Sequence, residues 1–170
     1  MENRHVISVL VENKPGVLAR VSGMFSGRAF NIHSLSVAPT IVPDVSRMTI
    51  VTYGSEAIIE QIIKQLRKLI NVIKVQDLTS GDYVDREMAL VRVKATSAKR
   101  ADVLRIVDIF RGKIVDIATD SMIVEITGGA GKIEAMIELL TPLGILELIR
   151  TGTVALPRGR KSPRYSEPTE

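Results

Sequence analysis

The apolar positions of this chain change their period in an ordered way. From His5 to Val11 the residues are largely β-branched or apolar, which predicts a strand. Val17, Leu18, Val21, Met24 and Phe25 then recur at helical spacing and predict a helix over Lys14–Ser26. Pro15 falls in its first turn, where a missing N–H is tolerated. Phe30–Ala38 reads as a strand stopped by Pro39, Thr40–Ser46 as a loop carrying Pro43, and Arg47–Tyr53 as another strand. Ser55–Leu69 predicts an amphipathic helix, with Ile58, Ile59, Ile62, Ile63 and Leu66 opposed to Glu60, Lys64, Arg67 and Lys68. Val72–Leu78 closes the series as a strand. The order βαββαβ predicts a ferredoxin-like split βαβ unit.

The series then repeats. Phe25-Ser26-Gly27-Arg28-Ala29-Phe30-Asn31-Ile32 is echoed by Phe110-Arg111-Gly112-Lys113-Ile114-Val115-Asp116-Ile117, each read as a helix end, a glycine free to take φ > 0, and a new strand. Arg47–Gly54 is echoed by Ser121–Gly128, and Ile59, Ile62, Ile63 and Leu66 by Ile133, Met136, Ile137 and Leu140. The second series predicts strands Met88–Ala95, Lys113–Ile117, Met122–Ile126 and Ile145–Thr151, with helices Lys99–Phe110 and Lys132–Leu140. Ser97 is the expected N-cap of the first of these helices. The fold class is therefore α+β, as two tandem ferredoxin-like βαββαβ domains at residues 1–79 and 80–157. Thr79–Arg86 reads as the linker and residues 158–170 as a basic flexible tail, since their Pro, Ser and charge content builds no core.

A four-stranded sheet with both helices on one face leaves its second face to be covered. Val9, Val11, Leu35, Val37 and Val51 are the expected residues of that face. An exposed apolar patch of that size is rare on a monomer, so a homodimer is expected.

Composition narrows the chemistry. The chain of 170 residues has no cysteine, two histidines and a net charge of +4. Disulfides, thiolate metal ligands and a Cys nucleophile are thereby excluded. No apolar stretch reaches the ~20 residues that span a bilayer, and the N-terminus lacks a secretory core. A soluble cytoplasmic protein is expected, with no membrane partner. His5 and His33 each sit in a predicted strand without the three or four clustered ligands of a metal site. Gly128-Gly129-Ala130-Gly131-Lys132 opens a helix, but Ile133 stands where a phosphate loop needs Ser or Thr. RNA-recognition domains share the βαββαβ order and stack bases on aromatic strand residues. The strand His5–Val11 has no Phe or Tyr, and Arg47–Tyr53 has only Tyr53 at its end, so no nucleic-acid partner is expected.

One turn stands apart. Glu12-Asn13-Lys14-Pro15-Gly16-Val17-Leu18 joins the first strand to the first helix. A helix N-terminus offers unpaired N–H groups to a carboxylate. Gly16 removes a Cβ where a ligand would approach, and Asn13 adds amide donors and an acceptor. Read from the residues alone, Asn13 is equally a helix cap and Gly16 a packing choice. The counterparts in the second repeat are Ala98 and Ala101, so that copy has no comparable turn.

Glu12–Val21 with Phe25 and Phe30-Asn31-Ile32 resembles the start of an ACT domain. Ser34–Thr40 followed by Ser46–Ile50, together with Ile109–Asp116, makes nearly the whole chain similar to the small regulatory subunit of acetolactate synthase (acetohydroxyacid synthase). That resemblance implies a subunit with no catalytic residues and no cofactor of its own. Its partner would be a catalytic large subunit that uses thiamine diphosphate, FAD and Mg²⁺. The small subunit would activate it and confer feedback inhibition by valine or another branched-chain amino acid. By motif position the resemblance assigns Asn13, Gly16, Val17, Leu18, Asn31 and Ile32 to the effector site, at an interface between two ACT domains. The other reading is a free-standing amino-acid sensor acting on a transcription factor or a different enzyme.

Overall fold

The computed structural model describes residues 3–159, so most of the expected basic tail lies outside the described residues. The contacts divide the chain into two units. One runs to Val84 and resumes at Thr153; the other is Asp85–Gly152. Residues 153–157, read from the sequence as part of the second domain, thus group with the first unit.

In the first unit the elements are β1 (Asn3–Glu12), α1 (Val17–Ser26), β2 (Ser34–Pro39), β3 (Val45–Gly54), α2 (Glu56–Leu66) and β4 (Val72–Asp77). The sheet order is β2-β3-β1-β4, with every pairing antiparallel. This is the expected βαββαβ topology. Ile7, Val9 and Val11 of β1 join Met48 and Ile50 of β3 in one core with Val17, Val21, Met24 and Phe25 of α1 and Ile59, Ile62 and Leu66 of α2. Burial contributes about 1.5–3 kcal/mol for each large apolar side chain of this kind, which is what holds two short helices to the sheet.

The expected second face is corrected. Val9 and Val11 lie beneath the helices, and Leu35 and Val37 pair with Ile50 and Met48, which also face the helices. Of the five residues only Val51 is on the opposite face, where it clusters with Val6, Leu78, Ala155 and Tyr83. The error has a physical cause. β1 is central and buried on both faces from Val6 to Val11, so alternation along it carries no parity signal. The opposite face is capped at one end by that cluster. At the other end it is polar, where Arg47 donates to the Ser8 hydroxyl at 3.0 Å.

The helix boundaries also shift. α1 begins at Val17 with Gly16 as N-cap, so Pro15 precedes the helix. Gly27 and Gly112 keep ordinary negative φ; the left-handed residues are Ala29 and Arg111, at 55° and 54°. Gly112 is required by proximity instead, since a Cβ there would stand 3.0 Å from the Glu125 carbonyl oxygen.

The second unit contains β5 (Tyr83–Lys94, from Asp85 onward), α3 (Arg100–Ile109), β6 (Lys113–Ile117), β7 (Ser121–Gly128), α4 (Ala130–Leu140) and β8 (Ile145–Arg150). Its sheet order, β6-β7-β5-β8, repeats the first. Ala89, Val91 and Val93 pack with Met122, Val124 and Ile126 under Val103 and Val107 of α3 and Ile133, Met136 and Leu140 of α4. The N-cap of α3 is Lys99, not Ser97, and it caps with no side-chain bond. Its ammonium instead donates to the Leu143 carbonyl at 3.1 Å. A further strand, β9 (Val154–Pro157), pairs with β5, whose first residues Tyr83 and Val84 belong to the first unit.

Candidate functional site

The β1–α1 turn is built around two residues. Gly16 sits at φ +83°, ψ −9°, and a Cβ there would meet nothing within 4 Å. The glycine therefore serves backbone conformation and leaves open space beside it, rather than permitting tight packing. Asn13 is not the helix cap. It turns to the β2–β3 connection, donating its N–H to the Asp44 carbonyl at 2.8 Å and its Nδ2 to the Pro43 carbonyl at 2.9 Å. Within the first turn of α1, the N–H groups of Leu18 and Ala19 have no main-chain acceptor among the described residues. Two donors at the positive end of a helix are the elements of a carboxylate site.

The turn is braced from below. The Asn71 amide donates to the Glu12 carboxylate at 2.6 Å, Arg20 donates to Asn71 Oδ1 at 3.0 Å, and Lys14 pairs with Glu12 at 3.2 Å. The Asn71 bond, and after it Lys14, hold the Glu12 carboxyl below its ordinary range. Sequence reasoning missed Asn71, Pro43 and Asp44. The last two act through main-chain carbonyls, which leave no residue signature.

The six candidate residues do not gather in one place. Val17 turns its side chain into the core, whereas Leu18 is 44% exposed beside the turn. An apolar contact from this turn therefore comes from Leu18. Asn31 and Ile32 lie in the α1–β2 connection. The Thr52 hydroxyl donates to the Asn31 carbonyl at 2.7 Å, and the His33 N–H donates to the Val51 carbonyl at 2.8 Å. Val51 is opposite Val6, near the start of β1, whereas the Asn13 turn follows Glu12 at its end. Six residues of strand separate the two levels, roughly 20 Å. Beside Asn31 a pocket of about 350 Å³ is walled by Phe30, Ile58 and Ile62, with Thr52 and Tyr53 at its polar side.

The second unit lacks both parts. Its N-cap Lys99 has φ −100°, where Gly16 is left-handed. Only Phe110, Arg111 and Gly112 separate α3 from β6, whereas residues 27–33 separate α1 from β2. The segment that carries Asn31 and Ile32 has no room in the second copy.

Other polar features are structural in their contacts. His5 is buried with Nδ1 3.3 Å from Asp77 Oδ2, and His33 stacks edge-on to Tyr53 with centroids 5.0 Å apart. Lys132 donates to the Thr127 carbonyl at 3.1 Å, so its ammonium is engaged by its own strand end. Among the described residues no three His, Asp or Glu side chains converge as a metal site, and no helix is long and apolar enough to cross a membrane.

Comparison with known proteins matches residues 7–74 to the "AHAS small subunit-like ACT domain" and residues 86–159 to the family described as "small subunit of acetolactate synthase". The acetolactate synthase small subunit of Aquifex aeolicus is 50% identical over 156 residues, covering 91% of this chain and 81% of its own. That of Mycolicibacterium smegmatis is 49% identical over 155 residues, covering 91% of each. The crystal structure of the Thermotoga maritima small subunit superposes with a TM-score of 0.83 at 42% identity, covering 92% of this chain and 98% of that one.

Proposed function

This chain belongs to the acetolactate synthase small-subunit family, and we propose from that premise that it activates a catalytic large subunit and makes it sensitive to a branched-chain amino acid. The thiamine diphosphate, FAD and Mg²⁺ of the reaction belong to that partner in this reading. The small subunit contributes binding and regulation.

The observation that carries the reading is the β1–α1 turn, with its left-handed Gly16 and the Leu18 and Ala19 amides that find no main-chain acceptor among the described residues. The effector carboxylate is received by those amides, its ammonium by Asn13, and its apolar side chain beside Leu18. Asn31 and Ile32 complete the site from a second copy. β2 is an edge strand of the first sheet, with Asn31 and Ile32 before its start and the Asn13 turn near its end. Antiparallel pairing of two β2 edges about a two-fold axis sets the start of one against the end of the other. Each dimer then holds two equivalent sites. The pocket beside Asn31 is within the size range of small-ligand sites.

The test is reconstitution. Purified catalytic subunit from the same organism is assayed for acetolactate with and without this chain, across a titration of valine, leucine and isoleucine. The expected result is higher activity with the chain, reversed by at least one of the three, and none from the chain alone. A chain that neither associates with the catalytic subunit nor alters its rate overturns the reading.

A further inference from the structure

The β2–β3 connection is closely hydrogen-bonded for so exposed a segment. The Val45 N–H closes a turn on the Val42 carbonyl at 3.0 Å, and the Thr40 N–H bonds the Val45 carbonyl at 2.8 Å. The Thr40 hydroxyl donates to the Val42 carbonyl and accepts from the Val42 N–H, both at 3.1 Å. Pro43 occupies the second position of the Val42–Val45 turn, where its fixed φ is already suited. The carbonyls of Pro43 and Asp44 leave this frame and are both taken up by Asn13.

This arrangement settles an ambiguity that an asparagine side chain otherwise keeps. A carbonyl oxygen can accept only from the nitrogen of a carboxamide. The Pro43 carbonyl therefore fixes Nδ2 toward the connection and Oδ1 away from it. A free carboxamide can rotate to offer either a donor or an acceptor to a ligand; one pinned in this way faces outward mainly as an acceptor.

We propose that the Thr40–Val45 connection is a positioning element of the effector site: by pinning Asn13 through the Pro43 carbonyl it presents Oδ1 as a fixed acceptor for an α-ammonium group, and so selects amino acids over the matching 2-hydroxy acids. The proposal rests on the reading of the β1–α1 turn as the effector site. An ammonium gives Oδ1 a charge-assisted bond, roughly twice as strong as the neutral bond a hydroxyl gives. An unpinned amide must first be oriented, and this costs the ammonium more: it can use Oδ1 alone, whereas a hydroxyl bonds to either end of the carboxamide.

The experiment is calorimetric titration of the full-length chain with valine, leucine and isoleucine and with the 2-hydroxy analogue of each. Wild type, Pro43→Gly and Pro43→Ala are compared. The wild type is expected to prefer the amino acid by about tenfold or more, in keeping with the stronger charge-assisted bond. Pro43→Gly, which frees the turn, is expected to narrow that preference by weakening amino-acid binding more than hydroxy-acid binding. Pro43→Ala, which suits the same turn, should retain most of it, and all three should melt within a few degrees of each other. A general structural defect would weaken both ligand classes together, which counts against positioning. An unchanged preference in Pro43→Gly also overturns the positioning role while leaving the effector site standing. A wild type that binds none of the six compounds overturns the effector-site reading, and the proposal with it.

Discussion

Asn13 and Asn31 stand at opposite ends of the same sheet, one after the last residue of β1 and the other level with its start. Neither can reach a small ligand held by the other within one protomer. If both serve the proposed effector site, that site takes one residue from each of two chains, and this can be measured.

Asn13→Ala and Asn31→Ala are each expected to lose effector binding. Mixed after unfolding and refolding together, they should recover part of it. Half of the dimers formed at random are mixed, and each carries one intact site and one doubly altered site, so roughly a quarter of all sites return. Binding stoichiometry by calorimetry is the readout. A mixture that binds no more than either variant alone rules out the shared site.

Gly16→Asp should abolish feedback inhibition while leaving assembly and activation. A carboxylate about 4 Å from the effector's own repels it by about 4 kcal/mol at an effective dielectric near 20. Typical allosteric coupling is about 1–3 kcal/mol, which this exceeds. Because Gly16 is left-handed, most side chains add strain there, on the order of 1–2 kcal/mol, with aspartate and asparagine the most tolerant. Gly16→Asn separates the two effects, since asparagine tolerates this conformation and carries no charge. A valine titration in which both variants lose the response equally would assign the loss to the backbone instead of the anion site.

The turn should also report pH. Glu12 has its folded pKa lowered from 4.5, first by Asn71 and then by Lys14. A carboxyl depressed in the folded state contributes stability that is complete above its unfolded value and is lost as pH falls through the folded value. The Asn71 side-chain amide is thus expected to keep its protection, taken relative to the intrinsic exchange rate at each pH, above pH 4.5 and to lose it as pH falls below. Glu12→Gln should flatten that acid limb. Identical profiles for the two proteins would mean that the Asn71 contact does not control the turn.

Ala155 is 5% exposed and packs against Val6, Val51 and Leu78, although about seventy residues separate it in sequence from the rest of that unit. Ala155→Asp buries a charge without a partner and is expected to cost about 2–4 kcal/mol of stability, which lowers the denaturation midpoint. A chain ended after Gly152 should weaken the same unit. Urea denaturation followed by circular dichroism decides. A loss below about 0.5 kcal/mol for Ala155→Asp would place the residue at an ordinary surface position.

The sequence by itself determined the two βαββαβ series, their order and the helix faces that meet each sheet. These follow from apolar periodicity, a local property that survives in the linear chain: Ile59, Ile62 and Leu66 of α2 and Ile133, Met136 and Leu140 of α4 are buried as their spacing requires. Only the tertiary structure decided which face of β1 meets the helices, because a strand buried on both sides has no alternation to read. It also decided that β9 returns to the first unit, that Asn13 answers to Pro43 and Asp44 and does not cap α1, and that Asn31 lies a sheet's length away. Each of these depends on strand register and on partners outside the local sequence, which no local pattern encodes.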